Sequence, residues 1–556
     1  MAVLHPESTL GQCIPPFTKY GITTYLPTWE AALRLRDGDP AIASKLQNIY
    51  PRLMPFGDTR VLIDTLGNKL GIPDGSAGYA FTSPQMLALT RKYGLSEKRD
   101  EYRLLPEDLI FKCVEIDGIR LFLVYFPRVK VKGVSDAWQE PGIGLPMRLA
   151  ESLLPHVDSA SEIECNWENP PAPSYVPEGP SHERLRERIC GLLHRAAIDP
   201  EKIKVTSRDV YLYPTGMAAI YYLDRLAARY RPGSVVVLGS VFHNTFHLLR
   251  NRAGPSEFKH FPHVDTSGLD SFETWLREET DAGRDVSYAI VEFPSNPILV
   301  SADLHRLHAL SRKYNFILAV DDTIGSFANV DVLPTCDVLV TSITKTFSGY
   351  ADVMGGSTVL NPLSPHYSGD GGLRALYDAE FHNEVFTGDV DTLLANSEDY
   401  LSRSAKLGQN ATLLAAHLQT ASLSPSSPIL RVHHPSVVPS GGNYTSLYRR
   451  PTPEYPSPTY PCLLSVDFAS LEATRAFYDA LAFYPGPHLG AHKSLSLCYG
   501  ALLFGKDEEE KRYQAGFGVF QEAVRISVGL EEWEDLRDTV DVAIKAAAEV
   551  GGRTGV

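Results

Sequence analysis

The chain lacks a basic excess. Its 52 lysines and arginines are outnumbered by 67 aspartates and glutamates, for a net charge of −15. That balance argues against nucleic acid or an anionic membrane as a partner. A run of about 18 apolar residues, which a membrane-spanning helix needs, is also missing. Residues 1–11 carry no basic, apolar leader, so a cytoplasmic protein is expected. Cysteine is sparse: Cys13, Cys113, Cys165, Cys190, Cys336, Cys462 and Cys498 are scattered and odd in number. They form no C-x-x-C pair and no Cys/His metal spacing, so free thiols in a reducing compartment are the simple reading. Among His243, His247, His260 and His263, only His243 and His247 have helical i, i+4 spacing. No metal is expected at that pair. Internal repeats are absent.

What is present is enough chain for two or three domains: 556 residues, 44% of them hydrophobic. Residues 1–170 mix short apolar strands, such as 121–126, with helical patches. They end in the turn-rich stretch 169–174, which reads as a linker. Residues 171–400 alternate strands with helices. The expected strands are Ser234–Leu238, 288–293, 316–321 and 337–341; the expected helices are Gly216–Tyr230 and 302–314, the second capped by Ser301. This alternation predicts a mainly parallel sheet covered on both faces, with ligands at the carboxyl ends of its strands. Residues 401–556 read as a smaller α+β domain. Its Pro/Ser/Gly-rich insertion at about 423–461 reads as an irregular surface excursion. The charged run 507–512 reads as a solvated face.

Lys345 follows the apolar run 338–340, in Ser342-Ile343-Thr344-Lys345-Thr346-Phe347-Ser348-Gly349. Burial lowers an amine's pKa toward its neutral, nucleophilic form, and small hydroxyl neighbours can hold a phosphate. Asp321 ends another apolar run, 316–320, where a carboxylate can keep a pyridine nitrogen protonated. The pair points to pyridoxal 5'-phosphate (PLP). Gly216 opens a helix whose free amides and dipole suit a phosphate, although an ordinary helix start also explains it. Asn296 suits a contact to the cofactor's ring oxygen; a plain Asn-Pro turn is the alternative. Arg525 stands alone in the apolar strand 524–528 and needs an anion, either a substrate carboxylate or an internal salt bridge.

Five segments occur in order along the chain. They are Thr215-Gly216-Met217-Ala218-Ala219, Glu292-x-Pro294-Ser295-Asn296-Pro297, Val320-Asp321-x-Thr323, Ser342-x-Thr344-Lys345 followed by Gly349, Asp352, Val353, Gly355 and Gly356, and Arg525-Ile526-Ser527-Val528-Gly529. As a set they resemble the PLP-dependent Cys/Met metabolism enzymes of fold type I, the cystathionine synthases and lyases. The likeness covers about residues 180–545. Leu26-Pro27-Thr28-Trp29-Glu30, Gly38-Asp39, Tyr50-Pro51-Arg52, Arg148-Leu149-Ala150-Glu151 and Asn396-Ser397-Glu398-Asp399 look like the fungal cystathionine γ-synthase branch, with its long N-terminal extension.

The resemblance implies an α/β fold of type I. Its parts are a mainly parallel seven-stranded-type sheet flanked by helices, a smaller α+β C-terminal domain and an N-terminal extension domain. A homodimer or homotetramer is implied as well. Lys345 becomes the Schiff-base lysine and Asp321 the partner of the pyridine nitrogen. Gly216, Met217, Ser342 and Thr344 hold the phosphate, Asn296 meets the cofactor oxygen, and Arg525 the substrate α-carboxylate. Phe242 takes the place of a ring-stacking tyrosine, keeping the stack but losing its hydroxyl. His488 replaces a serine near the substrate carboxylate, and Asp322 replaces an asparagine. The family's Tyr-x-Arg phosphate clamp, lent by a neighbouring subunit, is matched only by Tyr175 as a remnant. These departures imply a diverged paralogue. Its expected reaction is γ-substitution on an activated homoserine, the O-acetyl ester, by a second, nucleophilic substrate. A carbon nucleophile such as the enolate of a β-keto acid or ester, in secondary metabolism, is the leading expectation. A housekeeping cystathionine γ-synthase using L-cysteine and a β- or γ-lyase are the alternatives.

Overall fold

In the computed structural model, which describes residues 3–254, 256–369 and 371–551, the apolar strands collect into three sheets. The central one has seven strands. They are β5 (Val210–Tyr213), β6 (Ser234–Leu238), β7 (Phe258–Phe261), β8 (Val286–Glu292), β9 (Ile317–Asp321), β10 (Val338–Thr341) and β11 (Gly356–Leu360), in the order β5-β11-β10-β9-β8-β6-β7. From β10 to β7 neighbours run parallel; β11 is antiparallel to both of its neighbours. Helices cover both faces, which is why β8, β9 and β10 are buried at every residue and read as unbroken apolar runs. The expected strands lie within two residues of those observed. Register then fixes the site: Glu292 pairs with Asp321, and Asp321 with Val340, at the carboxyl edge.

The expected cap at Ser301 is corrected. The helix starts at Leu304, and the residue before it, Asp303, accepts from the Arg306 amide at 2.9 Å. The amide of Ser301 is instead tied to Ser440.

The N-terminal sheet is antiparallel, in the order β1-β3-β2-β4, from β1 (Ser76–Phe81), β2 (Ile110–Ile116), β3 (Ile119–Pro127) and β4 (Ser161–Ile163). Asp117 and Gly118, with φ of 48° and 75°, make the tight β2–β3 turn. Leu62, Ile63 and Leu66 of the helix Gly57–Lys69 pack on this sheet, whereas residues 26–32 pack elsewhere. Leu26, Trp29, Ala31 and Ala32 enter the core of the C-terminal domain, and the Trp29 amide donates to Asp479 at 2.6 Å.

That domain's five-stranded sheet runs β12-β13-β16-β15-β14, from β12 (Ile429–His433), β13 (Leu463–Phe468), β14 (Tyr484–Pro485), β15 (Leu495–Leu497) and β16 (Ala523–Ser527). The insertion at 423–461 is no surface excursion. It supplies β12, and it sends Tyr444, Leu447 and Tyr455 into the core of the central domain. Tyr444 stacks on Phe293 at 5.7 Å, and Arg449 is fully enclosed against the Leu193 and Arg195 carbonyls. Its Pro and Ser content describes an irregular path; its buried aromatics supply the packing energy. The run 507–512 is corrected in one place: Glu510 is buried. No helix among the described residues is long and apolar enough to cross a membrane.

Candidate active site

The carboxyl edge of the central sheet opens into a cavity bordered by Gly216, Met217, Phe242, Asn296, Asp321, Ser342, Lys345 and Arg525. Eight of the residues singled out from sequence thus meet in one place, from segments more than 300 residues apart. Each arrives by a local rule. Asp321 ends β9, Glu292 ends β8, and Lys345 follows β10 in a turn whose amides bond back to Ser342 and Gly355.

Gly216 begins the helix Gly216–Tyr230, capped by Thr215, whose Oγ1 accepts from the Ala218 amide at 3.0 Å. The amides of Gly216 and Met217 have no acceptor among the described residues, which leaves an anion-binding corner at the helix start. A β-carbon on Gly216 would stand 2.5 Å from the Ser342 β-carbon, so only glycine fits there.

Thr344 is a correction. Its hydroxyl accepts from the Gly355 amide at 2.9 Å and donates to the Gly355 carbonyl at 3.0 Å, so it braces the turn and does not border the cavity. Thr323 borders it instead; its Oγ1 accepts from the Ser342 amide at 2.8 Å and its own amide donates to Asp321 at 2.9 Å.

Burial pushes the Asp321 carboxyl up, and the Thr323 bonds oppose that shift. Glu292, beside it, is driven well above the carboxylate range by burial and then by the Asp321 charge. Its Oε1 accepts from the Phe242 amide at 2.6 Å, which fixes the start of the segment carrying the Phe242 ring. Sequence reading gave Glu292 no role.

Arg525 has only neutral partners: the Asn296 Oδ1 at 3.2 Å and the Pro487 carbonyl at 2.8 Å. No carboxylate pairs with it among the described residues, so the internal salt bridge is not formed. A buried guanidinium whose partners are all neutral has the charge and the donors to take a carboxylate. Burial lowers its pKa to about 10, which leaves it charged at neutral pH.

Two residues missing from the expected site come from the N-terminal extension. The Lys345 Nζ donates to the Tyr50 hydroxyl at 3.3 Å, and the Arg52 guanidinium lies 5.4 Å from the centres of both the Tyr50 and Phe242 rings. Arg52 is buried, and its recorded hydrogen bond goes to the Gln139 carbonyl at 2.6 Å. Burial pushes the Tyr50 hydroxyl up, but the Lys345 and Arg52 charges outweigh it and bring it to about 8. Tyr50-Pro51-Arg52 is a Tyr-x-Arg pair whose Tyr50 and Arg52 border the cavity of the same chain. Tyr175 is nearly half exposed, its ring tilted against His382 at 4.5 Å and away from the cavity, so it is no remnant of the clamp.

His488 lies behind the cavity wall formed by Pro487 and Leu489. Its Nδ1 is 3.5 Å from Lys345 Nζ, so it meets the lysine rather than the open cavity. Burial, then the Lys345 and Arg525 charges, hold its imidazole neutral. Burial also lowers the Lys345 amine below its ordinary range. Asp322 points away: Thr341 donates to it at 2.5 Å, and burial raises it to about 7.

The residues present therefore fit PLP: free amides and Arg52 for a phosphate, Lys345 for the aldehyde carbon, and Asp321 for the ring nitrogen. Comparison with known proteins agrees. Residues 201–368 match the family model of the Cys/Met metabolism PLP-dependent enzymes. A cystathionine gamma-synthase-like enzyme of Amanita muscaria, iboG2, is 31% identical, with 99% of this chain and 98% of that protein covered. Alanine racemase ungC of Aspergillus violaceofuscus is 29% identical, with 96% of each covered. The fold is similar to cystathionine gamma synthase of Xanthomonas oryzae pv. oryzae, crystallised with cystathionine, at a TM-score of 0.54 and 20% identity over 67% of this chain and 87% of that one. The chain belongs to the Cys/Met metabolism family of PLP-dependent enzymes. It has the type I fold and uses PLP.

Arg52→Gln tests the clamp. Losing a charge-assisted contact should weaken PLP binding by about 2 kcal/mol, roughly thirtyfold. Titration of the apoenzyme followed by fluorescence measures it. Unchanged affinity would mean that Arg52 holds no phosphate.

Proposed function

We propose that this enzyme performs γ-substitution on O-acetyl-L-homoserine, with a carbon nucleophile such as the enolate of a β-keto acid or ester. The supporting observation is how the cavity's cations are used. Its lining contains three, Arg52, Lys345 and Arg525. Arg52 faces the phosphate corner, Lys345 the cofactor's carbonyl carbon, and Arg525 the amino-acid carboxylate. The remaining wall includes Leu53, Ile220, Ile324, Leu489, Leu497 and Leu503. A cysteine nucleophile would bring a second carboxylate with no cation left to pair it, at a desolvation cost. A carbon nucleophile with an ester group meets apolar wall without that cost, so the ester is favoured over the acid. Product and acetate leave with atoms balanced: a bond to the nucleophile's carbon forms at Cγ, the Cγ–oxygen bond breaks, and the nucleophile's proton departs with acetate.

Bound PLP supplies an electron sink for negative charge on the substrate. The chain's own residues do the rest. Arg525 and Asn296 hold the carboxylate, and the Lys345 amine, its pKa lowered by burial, moves protons at Cα and Cβ. Asp321 keeps the ring nitrogen charged. The Phe242 ring shields one face from water. Tyr50 and Arg52 reach the site within one chain, so the clamp calls for no second subunit; a homodimer or homotetramer rests on the family resemblance.

Incubation with O-acetylhomoserine and a competing pair, cysteine and a β-keto ester, tests this reading by mass spectrometry. The carbon-linked product should dominate. Cystathionine as the main product would return the chain to the housekeeping reaction, and 2-oxobutanoate without coupling would make it a lyase. Alanine that only racemises would place it with the Aspergillus relative.

Phe242→Tyr restores a hydroxyl on the same ring. With that new proton donor near Cγ, coupling to cysteine or simple elimination should rise relative to the native reaction. Unchanged product ratios would remove Phe242 from the choice of nucleophile.

A further inference from the structure

Two imidazole nitrogens without partners stand just outside the cavity. His243 and His247 lie one turn apart at the start of the helix His243–Ala253, with ring centres 4.1 Å apart. His243 Nδ1 and His247 Nε2 are enclosed yet meet no hydrogen-bond partner. Glu510 reaches them from the helix Glu508–Ala515 of the C-terminal domain; its Oε1 is 3.9 Å from His247 Nε2. One ligand atom from each of the three residues lies within 4.8 Å of the others. Enclosed polar atoms left unpaired are uncommon, and an ion is one of the few things that satisfies them.

We propose that His243, His247 and Glu510 bind a divalent transition-metal ion of the zinc class, tying the central domain to the C-terminal domain beside the cavity. Two imidazoles and a carboxylate are a donor set that zinc takes, with the fourth position left to water. Burial, the largest cause for both, lowers His243 to about 4 and His247 to about 2, so each offers a lone pair at neutral pH. Tetrahedral zinc, with bonds of about 2.0–2.1 Å, sets neighbouring ligand atoms roughly 3.4 Å apart. Side-chain rotation closes the difference from 4.8 Å.

The local competitor is Arg250. It bonds His247 Nδ1 at 2.8 Å and lies 4.0 Å from Glu510 Oε2. Its side chain is 43% exposed and can swing to solvent. Gln514 donates to Glu510 Oε1 at 2.7 Å and orients the carboxylate, as supporting residues do around metal ligands. An open hollow bordered by Tyr93, Glu140 and Asp507 reaches both histidines and gives an ion its entry. The consequence lies next door. Phe242 precedes His243, its amide is held by Glu292, and Asn244 and Thr245 also border the cavity. An ion here would pin the start of the helix that carries this wall.

The test uses the holoenzyme, stripped with EDTA and dialysed. Titration with ZnCl2 by calorimetry should show one equivalent bound. CoCl2 should give the visible spectrum of nitrogen and oxygen ligands, without thiolate charge-transfer bands. His247→Gln and Glu510→Gln should each weaken zinc binding by more than the roughly 100-fold that losing a supporting residue can cost. Arg250→Gln, at a partly exposed position, should tighten it. Zinc should raise the unfolding midpoint of the native protein and not of the two ligand variants. No stoichiometric binding overturns the proposal, as does equal affinity in the ligand variants. Should those variants fail to fold, thiolate bands with cobalt or an Arg250→Gln protein that binds no tighter overturns it.

Discussion

Lys345→Ala should lose the visible absorbance of the bound cofactor and all measurable turnover. The substitution removes two things at once: the amine that links to the cofactor and the base that moves protons at the substrate. No neighbour can take over. Within hydrogen-bond reach of Nζ stand the Tyr50 hydroxyl at 3.3 Å and the His488 Nδ1 at 3.5 Å, and neither is an amine. Spectra of the purified variant and an end-point assay with O-acetylhomoserine check this. Turnover at the native rate would end the assignment of Lys345. Residual cofactor held only by the phosphate corner would not, because the Gly216 and Met217 amides and Arg52 remain.

Asp321→Asn should keep part of its cofactor and lose activity, with kcat down by at least about a hundredfold. An amide cannot hold the ring nitrogen protonated, so the negative charge that develops on the substrate loses its sink. The missing interaction belongs to the transition state, and kcat should fall more than PLP affinity. Glu292 is no substitute. It lies across from Asp321 in the β8–β9 register, but burial pushes its carboxyl pKa well up and the Phe242 amide occupies Oε1. If kcat stays within a factor of about two while affinity collapses, Asp321 serves structure alone.

The middle of the central sheet was legible because β8, β9 and β10 are buried on both faces. Each reads as an apolar run, and a charged residue at or just past the end of such a run marks the edge where chemistry happens. Asp321 and Lys345 stood out for that reason, and Arg525 as a lone charge inside the apolar strand β16 of the C-terminal sheet. The phosphate corner was half legible. Gly216 is forced by Ser342 at 2.5 Å, which no local pattern shows. Thr344 has the right residue type and spacing, but the turn consumes its hydroxyl. Tyr50 and Arg52 were visible as residues and not as a site. The contact of Tyr50 to Lys345 spans 295 residues of chain, and Tyr50-Pro51-Arg52 read only as a mark of the fungal branch. The insertion at 423–461 was misread because turn-forming residues describe the path of a backbone, while Tyr444 and Tyr455 decide where it packs. Glu510 was hidden by its charged neighbours in the run 507–512, which are mostly exposed.

The central claim is that one cofactor site is assembled within a single chain from Lys345, the strand-end carboxylate Asp321 and the extension's Tyr50 and Arg52. Borohydride turns a lysine–cofactor link into a permanent bond, and peptide mass spectrometry then locates it. The account predicts a phosphopyridoxyl label on the peptide containing Lys345 and on no other. It also predicts that Arg52→Gln lowers the labelled fraction at limiting PLP. A label on any other lysine, or labelling indifferent to Arg52, would contradict it.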